Sequence, residues 1–293
     1  MKTLARLALA AAAVAFAAAI MGSWTRITGD GMSCPQWPAC RLAAGTVWEW
    51  LHRALVALEL PLVAAVLLTA WRRHRAARFI PATGLAVLVL FTVQVALGAA
   101  TVHLANSPMS VVWHWGTAMA FIAALLSLAI VASFDPAAAT KVEALPRLSV
   151  YALAATSAAA YLTMCVGAYV SSSGAGLACL SLASCAGNVV VTDAGQFVQM
   201  LHRGIAAVTL LLGAATLTLC LRATPHIRSL ASLGLGLLFV QILLGLFNVA
   251  LHLPLALREA HAANAALTFI IYITAIILAL VDRSRVSLLK LAA

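Results

Sequence analysis

Four histidines, His52, His114, His202 and His261, stand in the first turns of long apolar runs. An ionisable side chain is costly in such surroundings and marks a functional site by default. They fall at matched places: "WLHRALVAL" (50–58) parallels "MLHRGIAAV" (200–208), and His114 and His261 follow "VQVALGAATVHL" (93–104) and "VQILLGLFNVALHL" (240–253). Imidazoles on facing helices can clasp a metal or a haem iron from opposite sides, as cofactor sites in helical bundles are commonly built. Zinc favours thiolate or carboxylate ligands completing a tetrahedron, so paired lone histidines suit haem better. Of the remaining four, His74 and His226 read as solvated loop residues, and His103 and His252 occupy matching outer ends of two runs.

Around these histidines lie three further kinds of chemistry. Arg53 and Arg203 each directly follow a histidine; a guanidinium there pairs with a haem propionate or simply snorkels to the interface. Glu49 precedes His52 by three residues, a spacing that puts both on one helix face, whereas Gln199 holds the same place before His202. One half thus has a group able to transfer protons and the other a neutral copy, although a solvated carboxylate favoured by the helix dipole is the plainer reading. Cys34 and Cys40, in "TGDGMSCPQWPAC", and Cys179 and Cys185, in "SSGAGLACLSLASC", share one six-residue spacing. On an oxidising face each pair forms a structural or redox disulfide; Cys165 and Cys220 fall inside apolar runs and read as small core residues.

The elements that must position these groups follow from composition. With 64% apolar and 9% charged residues and a mean hydropathy of +1.05, the chain is far from globular composition. About 20 apolar residues cross a bilayer, and eight such runs lie at 4–23, 47–71, 79–101, 110–134, 149–171, 197–221, 229–251 and 259–281. The expected fold is an all-α polytopic membrane protein of eight transmembrane helices. Thirteen of the 18 lysines and arginines fall on one side, which makes that side and both termini cytoplasmic. The net charge of +10 is topology signal and attraction to membrane lipid headgroups; without a soluble basic face, nucleic-acid binding is excluded. The basic, Ala-rich start also has the features of a cleavable signal peptide, but its removal would leave an odd number of spans.

An even number of helices per repeat makes the repeat parallel, so two four-helix bundles are expected about a pseudo-twofold axis along the membrane normal. The expected units are an N-terminal half at 1–134, a cytoplasmic linker at 135–148 and a C-terminal half at 149–293. A b-type haem protein carrying electrons from quinol to a periplasmic acceptor would also use paired histidines, but would keep both haems and need no Glu49 asymmetry. A transporter would want polar clusters at mid-membrane; Gln94 and Gln241 are the matched polar residues at depth, too few for a path.

The loop "TRITGDGMSCPQWPAC", the run "EWLHR" and the histidines at 114, 202 and 261 together resemble the haem A synthase family, over nearly the whole chain. The resemblance implies a bacterial cytoplasmic-membrane enzyme that oxidises a porphyrin methyl group of haem O to a formyl group through a hydroxymethyl intermediate. It implies haem b as cofactor on His202 and His261, substrate haem O between His52 and His114, and Glu49 as the glutamate beside the substrate. Cys34 and Cys40 match the family's first-loop pair, while Cys179 and Cys185 are shared with many bacterial members. The haem sites would lie toward the outer face, and the implied partners are a haem O synthase and an electron donor.

Overall fold

The computed structural model describes residues 1–77, 79–133, 145–181, 184–185 and 191–292, with 284–292 described as backbone only. Eight helices form: α1 (Lys2–Thr28), α2 (Val47–His74), α3 (Ile80–His103), α4 (Pro108–Ser133), α5 (Arg147–Ser172), α6 (Ala194–Cys220), α7 (Pro225–Ala250) and α8 (Leu255–Ala292). All eight are long and apolar enough to cross a membrane, and no strand forms among the described residues. Most of the linker expected at 135–148 lies outside the described residues.

Local chemistry sets the helix ends. Pro108 and Pro225 open α4 and α7, where a missing N–H costs nothing. The Asp193 side chain caps α6 by accepting from Gln196 N at 2.8 Å. Gly29, with φ 88°, closes α1. Most helices overrun the expected spans by a few residues, because hydropathy counts the part in hydrocarbon and not the polar turns beyond it.

The packing repeats itself. α1 packs on α2 and α4 as α5 packs on α6 and α8, and α3 packs on α4 as α7 packs on α8. The halves meet through α4 with α5, α8 with α1, and α4 with α8, so α1, α4, α5 and α8 form the inner ring. Half of the apolar window of α4 is buried against 11% of that of α3, which faces outward. Small side chains allow the close approach: buried Ala5, Ala8, Ala11, Ala12, Ala15 and Ala18 run down α1. A packed core with Leu4, Val66, Val87, Leu125 and Leu128 fills the ends of α1–α4 away from the histidines. The second, with Leu153, Cys220, Ile227, Tyr272 and Ala279, does so for α5–α8. The histidine-bearing halves of the helices are left around a cavity.

Candidate functional site

All four histidines line one cavity of about 1060 Å³, to which all eight helices contribute. The two halves thus contribute to one continuous lining. Each imidazole rests on a glycine of the neighbouring helix. A Cβ at Gly22 would lie 2.9 Å from His52 Cε1 and one at Gly167 2.9 Å from His202 Cε1. At Gly98 it would lie 3.3 Å from His114 Cε1, and at Gly245 3.2 Å from His261 Cε1. His52 Nδ1 donates to Ala18 O at 2.9 Å and His202 Nδ1 to Thr163 O at 3.1 Å, each acceptor one turn before its glycine. A carbonyl only accepts, so Nδ1 carries the proton and Nε2 keeps its lone pair for a ligand.

The two rings of the C-terminal pair stand close enough to hold one ion between them. Imidazole nitrogens bind zinc at about 2.0–2.1 Å, so two rings flanking one similar ion stand roughly 6 Å apart between centroids. His202 and His261 are 6.4 Å apart with planes at 72°, and among the described residues nothing bonds Nε2 of either. Among the described residues no group of three or more His, Cys, Asp or Glu could hold a metal. Two-ligand binding of an iron whose other ligands come from a porphyrin fits these residues.

Both arginines that follow a histidine serve the loops. Arg53 donates through Nη1 to Gln36 O (2.6 Å) and Ala39 O (2.8 Å), through Nη2 to Cys34 O (2.8 Å), and through Nε to Glu49 Oε1 (2.8 Å). Arg203 donates to Ser181 O (2.7 Å) and Cys179 O (2.8 Å). Both arginines also line the cavity, so the loop clamp stands beside the expected propionate contact rather than in its place. Cys34 and Cys40 lie at disulfide distance inside the first clamped loop, as do Cys179 and Cys185 inside the second. Cys165 and Cys220 are free thiols within helices.

Glu49 is buried, at 6% exposure, and paired with Arg53; it is not a solvated helix-end group. Its Oε2 has no protein partner, and the residue lines the cavity. Gln199 instead ties α6 to its loop, accepting from Cys179 N and donating to Gly176 O at 2.7 Å. His103 and His252 are both exposed, and neither lines the cavity. Nor do they match: the paired left-handed residues are Ala105 and Asn106 after α3, and His252 and Leu253 after α7, so Ala105 is the counterpart of His252.

Sequence reasoning missed the four glycines, although Gly98 and Gly245 stand in the quoted "VQVALG" and "VQILLG" repeats. It also missed Glu59, a buried carboxyl on α2, and the bonds that cross between halves at the outer end. There Ser23 on α1 donates to Glu259 on α8 at 2.9 Å, and Arg26 on α1 to Ser171 on α5 at 3.0 Å. Arg26 and Ser171 are repeat-related, being four residues after Gly22 and Gly167, and residues related by a twofold can touch only near its axis.

Comparison with known proteins follows the same lines. The model of the COX15-CtaA family, described as cytochrome oxidase assembly protein, matches residues 41–273. The Heme A synthase of Shewanella oneidensis is 27% identical, over 87% of this chain and 90% of that protein. That of Bacillus licheniformis is 27% identical over 83% and 85%, and that of Geobacillus kaustophilus 28% identical over 83% and 81%.

Proposed function

The chain belongs to the COX15-CtaA family of cytochrome oxidase assembly proteins, and from that premise we propose that it is a haem A synthase. It oxidises a methyl group of haem O to a formyl group through a hydroxymethyl stage. The observation that carries this reading is the fourfold pattern of imidazole on glycine around one cavity, in a chain whose relatives are named Heme A synthase. His202 and His261 hold a resident haem b. That haem, when bound, supplies one-electron chemistry.

His52 and His114 bracket haem O, the substrate. Ala18 O orients the His52 ring, and Gly22 lets it approach α1. Glu49 lies one turn outward of His52, and its free oxygen takes the proton given up as the methyl group is oxidised; Arg53 holds the other oxygen in place. Arg26 and Arg258 line the cavity and are not bound by the cysteine loops, so they meet the propionates of a bound haem. The apolar lining around them keeps bulk water from the reacting edge.

The setting is a bacterial cytoplasmic membrane with both termini inside and the histidine end outward, supported by the bias of cationic residues to the other side. Haem O comes from a haem O synthase; each of two hydroxylations takes one dioxygen and two electrons from a separate donor and releases one water, and the gem-diol then loses water to leave the formyl group. Cells that make haem O and lack any enzyme converting it test the proposal: introducing this chain should bring haem A into their membrane extracts. Extracts holding haem O alone, with the chain inserted and carrying haem B, would reject it.

A further inference from the structure

The halves differ most where the cavity is deepest. Glu59 lines the cavity on α2, is 4% exposed, and neither carboxyl oxygen has a partner. It lies seven residues past His52, so it shares that face of the helix about 10 Å further into the membrane. Its repeat counterpart is Thr209, whose hydroxyl bonds Ile205 O at 2.8 Å and Thr163 Oγ1 at 2.9 Å. Thr163 itself corresponds to Ala18, which leaves Glu59 without such a neighbour.

Two more acceptors repeat the contrast. Gln94, one turn deeper on α3 than Gly98, also lines the cavity, and its Oε1 is buried and unpaired. Its counterpart Gln241 accepts from Asn264 Nδ2 at 2.7 Å and donates to His261 O at 3.0 Å. Pro61 in α2 has no N–H, so the carbonyl of Ala57, another lining residue, loses its helical donor. Leu211 stands at the matching place on α6 and keeps its N–H. At the two side-chain positions the second half is paired, whereas the Glu59 carboxyl and the Gln94 amide oxygen are not, yet buried polar groups are almost always paired.

We propose that Glu59, in a cavity also lined by the unpaired Gln94 amide oxygen, is an acceptor site for a hydroxyl on the inner edge of the substrate, and that it distinguishes haem O from haem B. The inference rests on the synthase reading. Haem O carries a hydroxyl-bearing farnesyl chain where haem B carries a vinyl group, so only haem O brings a donor to this depth. A carboxyl meets a hydroxyl in either protonation state, accepting as an anion and accepting or donating as an acid. The pairing of Thr209 and Gln241 in the second half suits a haem with an apolar inner edge, which haem B has. Glu59 is thus a specificity residue, distinct from the rim carboxylate Glu49.

The test uses full-length protein from cells making no haem O, in which haem B alone is resident. Titration with haem O and with haem B, read by the absorbance of newly bound haem, gives an affinity ratio. In Glu59→Leu that ratio should fall about 3- to 100-fold, the range of one hydrogen bond to a neutral or a charged carboxyl, while Glu59→Gln should keep most of it. The farnesyl tail contributes equally to both proteins and cancels in the comparison. A ratio unchanged in Glu59→Leu, with the resident haem B spectrum intact, overturns the proposal alone. Wild-type protein that takes up no haem O overturns the synthase reading and this proposal with it.

Discussion

Between Gly167 and His202 there is no room for a methyl group, since a Cβ would stand 2.9 Å from the ring, whereas at Gly245 the gap to His261 is 3.2 Å. Overpacking of this kind costs about 1–3 kcal/mol. Gly167→Ala should therefore lower the haem B content of purified protein more than Gly245→Ala does. Gly22→Ala, equally tight but in the other half, should leave haem B in place and impair haem A formation; visible spectra and pigment extraction measure both. Glu49→Gln copies what position 199 already carries, so the protein should insert normally and retain haem B. It should form haem A about 10²–10⁴-fold more slowly, the usual contribution of a positioned proton acceptor, and haem O or its hydroxymethyl form should accumulate. Undiminished haem A production would remove Glu49 from the chemistry. At this scale the histidines and Glu49 were legible because their types are rare in apolar runs. The glycines were not, because a glycine in a membrane helix is common and only its neighbour across the interface gives it meaning. Glu59 was not legible because its counterpart is Thr209, so no repeated pair of rare residues marks the position.

The loops after α1 and α5 are each a short ring of chain held from inside by one arginine. Arg53 reaches the carbonyls of Gln36, Ala39 and Cys34 together, a task for a planar fork of donors that a lysine ammonium cannot repeat. Arg53→Lys should therefore loosen the loop, seen as faster proteolysis or faster reduction of the Cys34–Cys40 pair than in the parent. Both loop cysteine pairs should resist alkylation until reduced. An impermeant thiol reagent on reduced intact cells should then reach Cys34 and Cys40, which places the loop outside. Labelling only after the membrane is opened would reverse the orientation drawn from the cationic residues. All eight spans were legible in hydropathy, because length and apolarity are all that crossing a bilayer demands. The loop contacts of Arg53 and Arg203 were not, since nothing in sequence says that an arginine lining a cavity also reaches the carbonyls of a neighbouring loop. Nor was the mismatch of His103 with His252, which depends on where the left-handed turn falls after each helix.

Across the whole molecule a near-symmetric scaffold holds two unequal sites in one cavity. Symmetry accounts for the four imidazoles, their glycines and the clamped loops. Departures from it, at Glu49 against Gln199, Glu59 against Thr209 and Gln94 against Gln241, all leave polar capacity unspent in the N-terminal half. A b-type electron carrier has no use for that inequality, while an enzyme with one resident haem and one haem that enters, reacts and leaves requires it. His202→Ala or His261→Ala should remove most of the haem B from purified protein, and His52→Ala or His114→Ala should spare it. The most direct measurement is mass analysis of the pigments extracted from purified protein made in cells with and without haem O. Haem B in both preparations, joined by haem O or haem A only where haem O is made, is the predicted result. Two equivalents of haem B per chain in both preparations would contradict it.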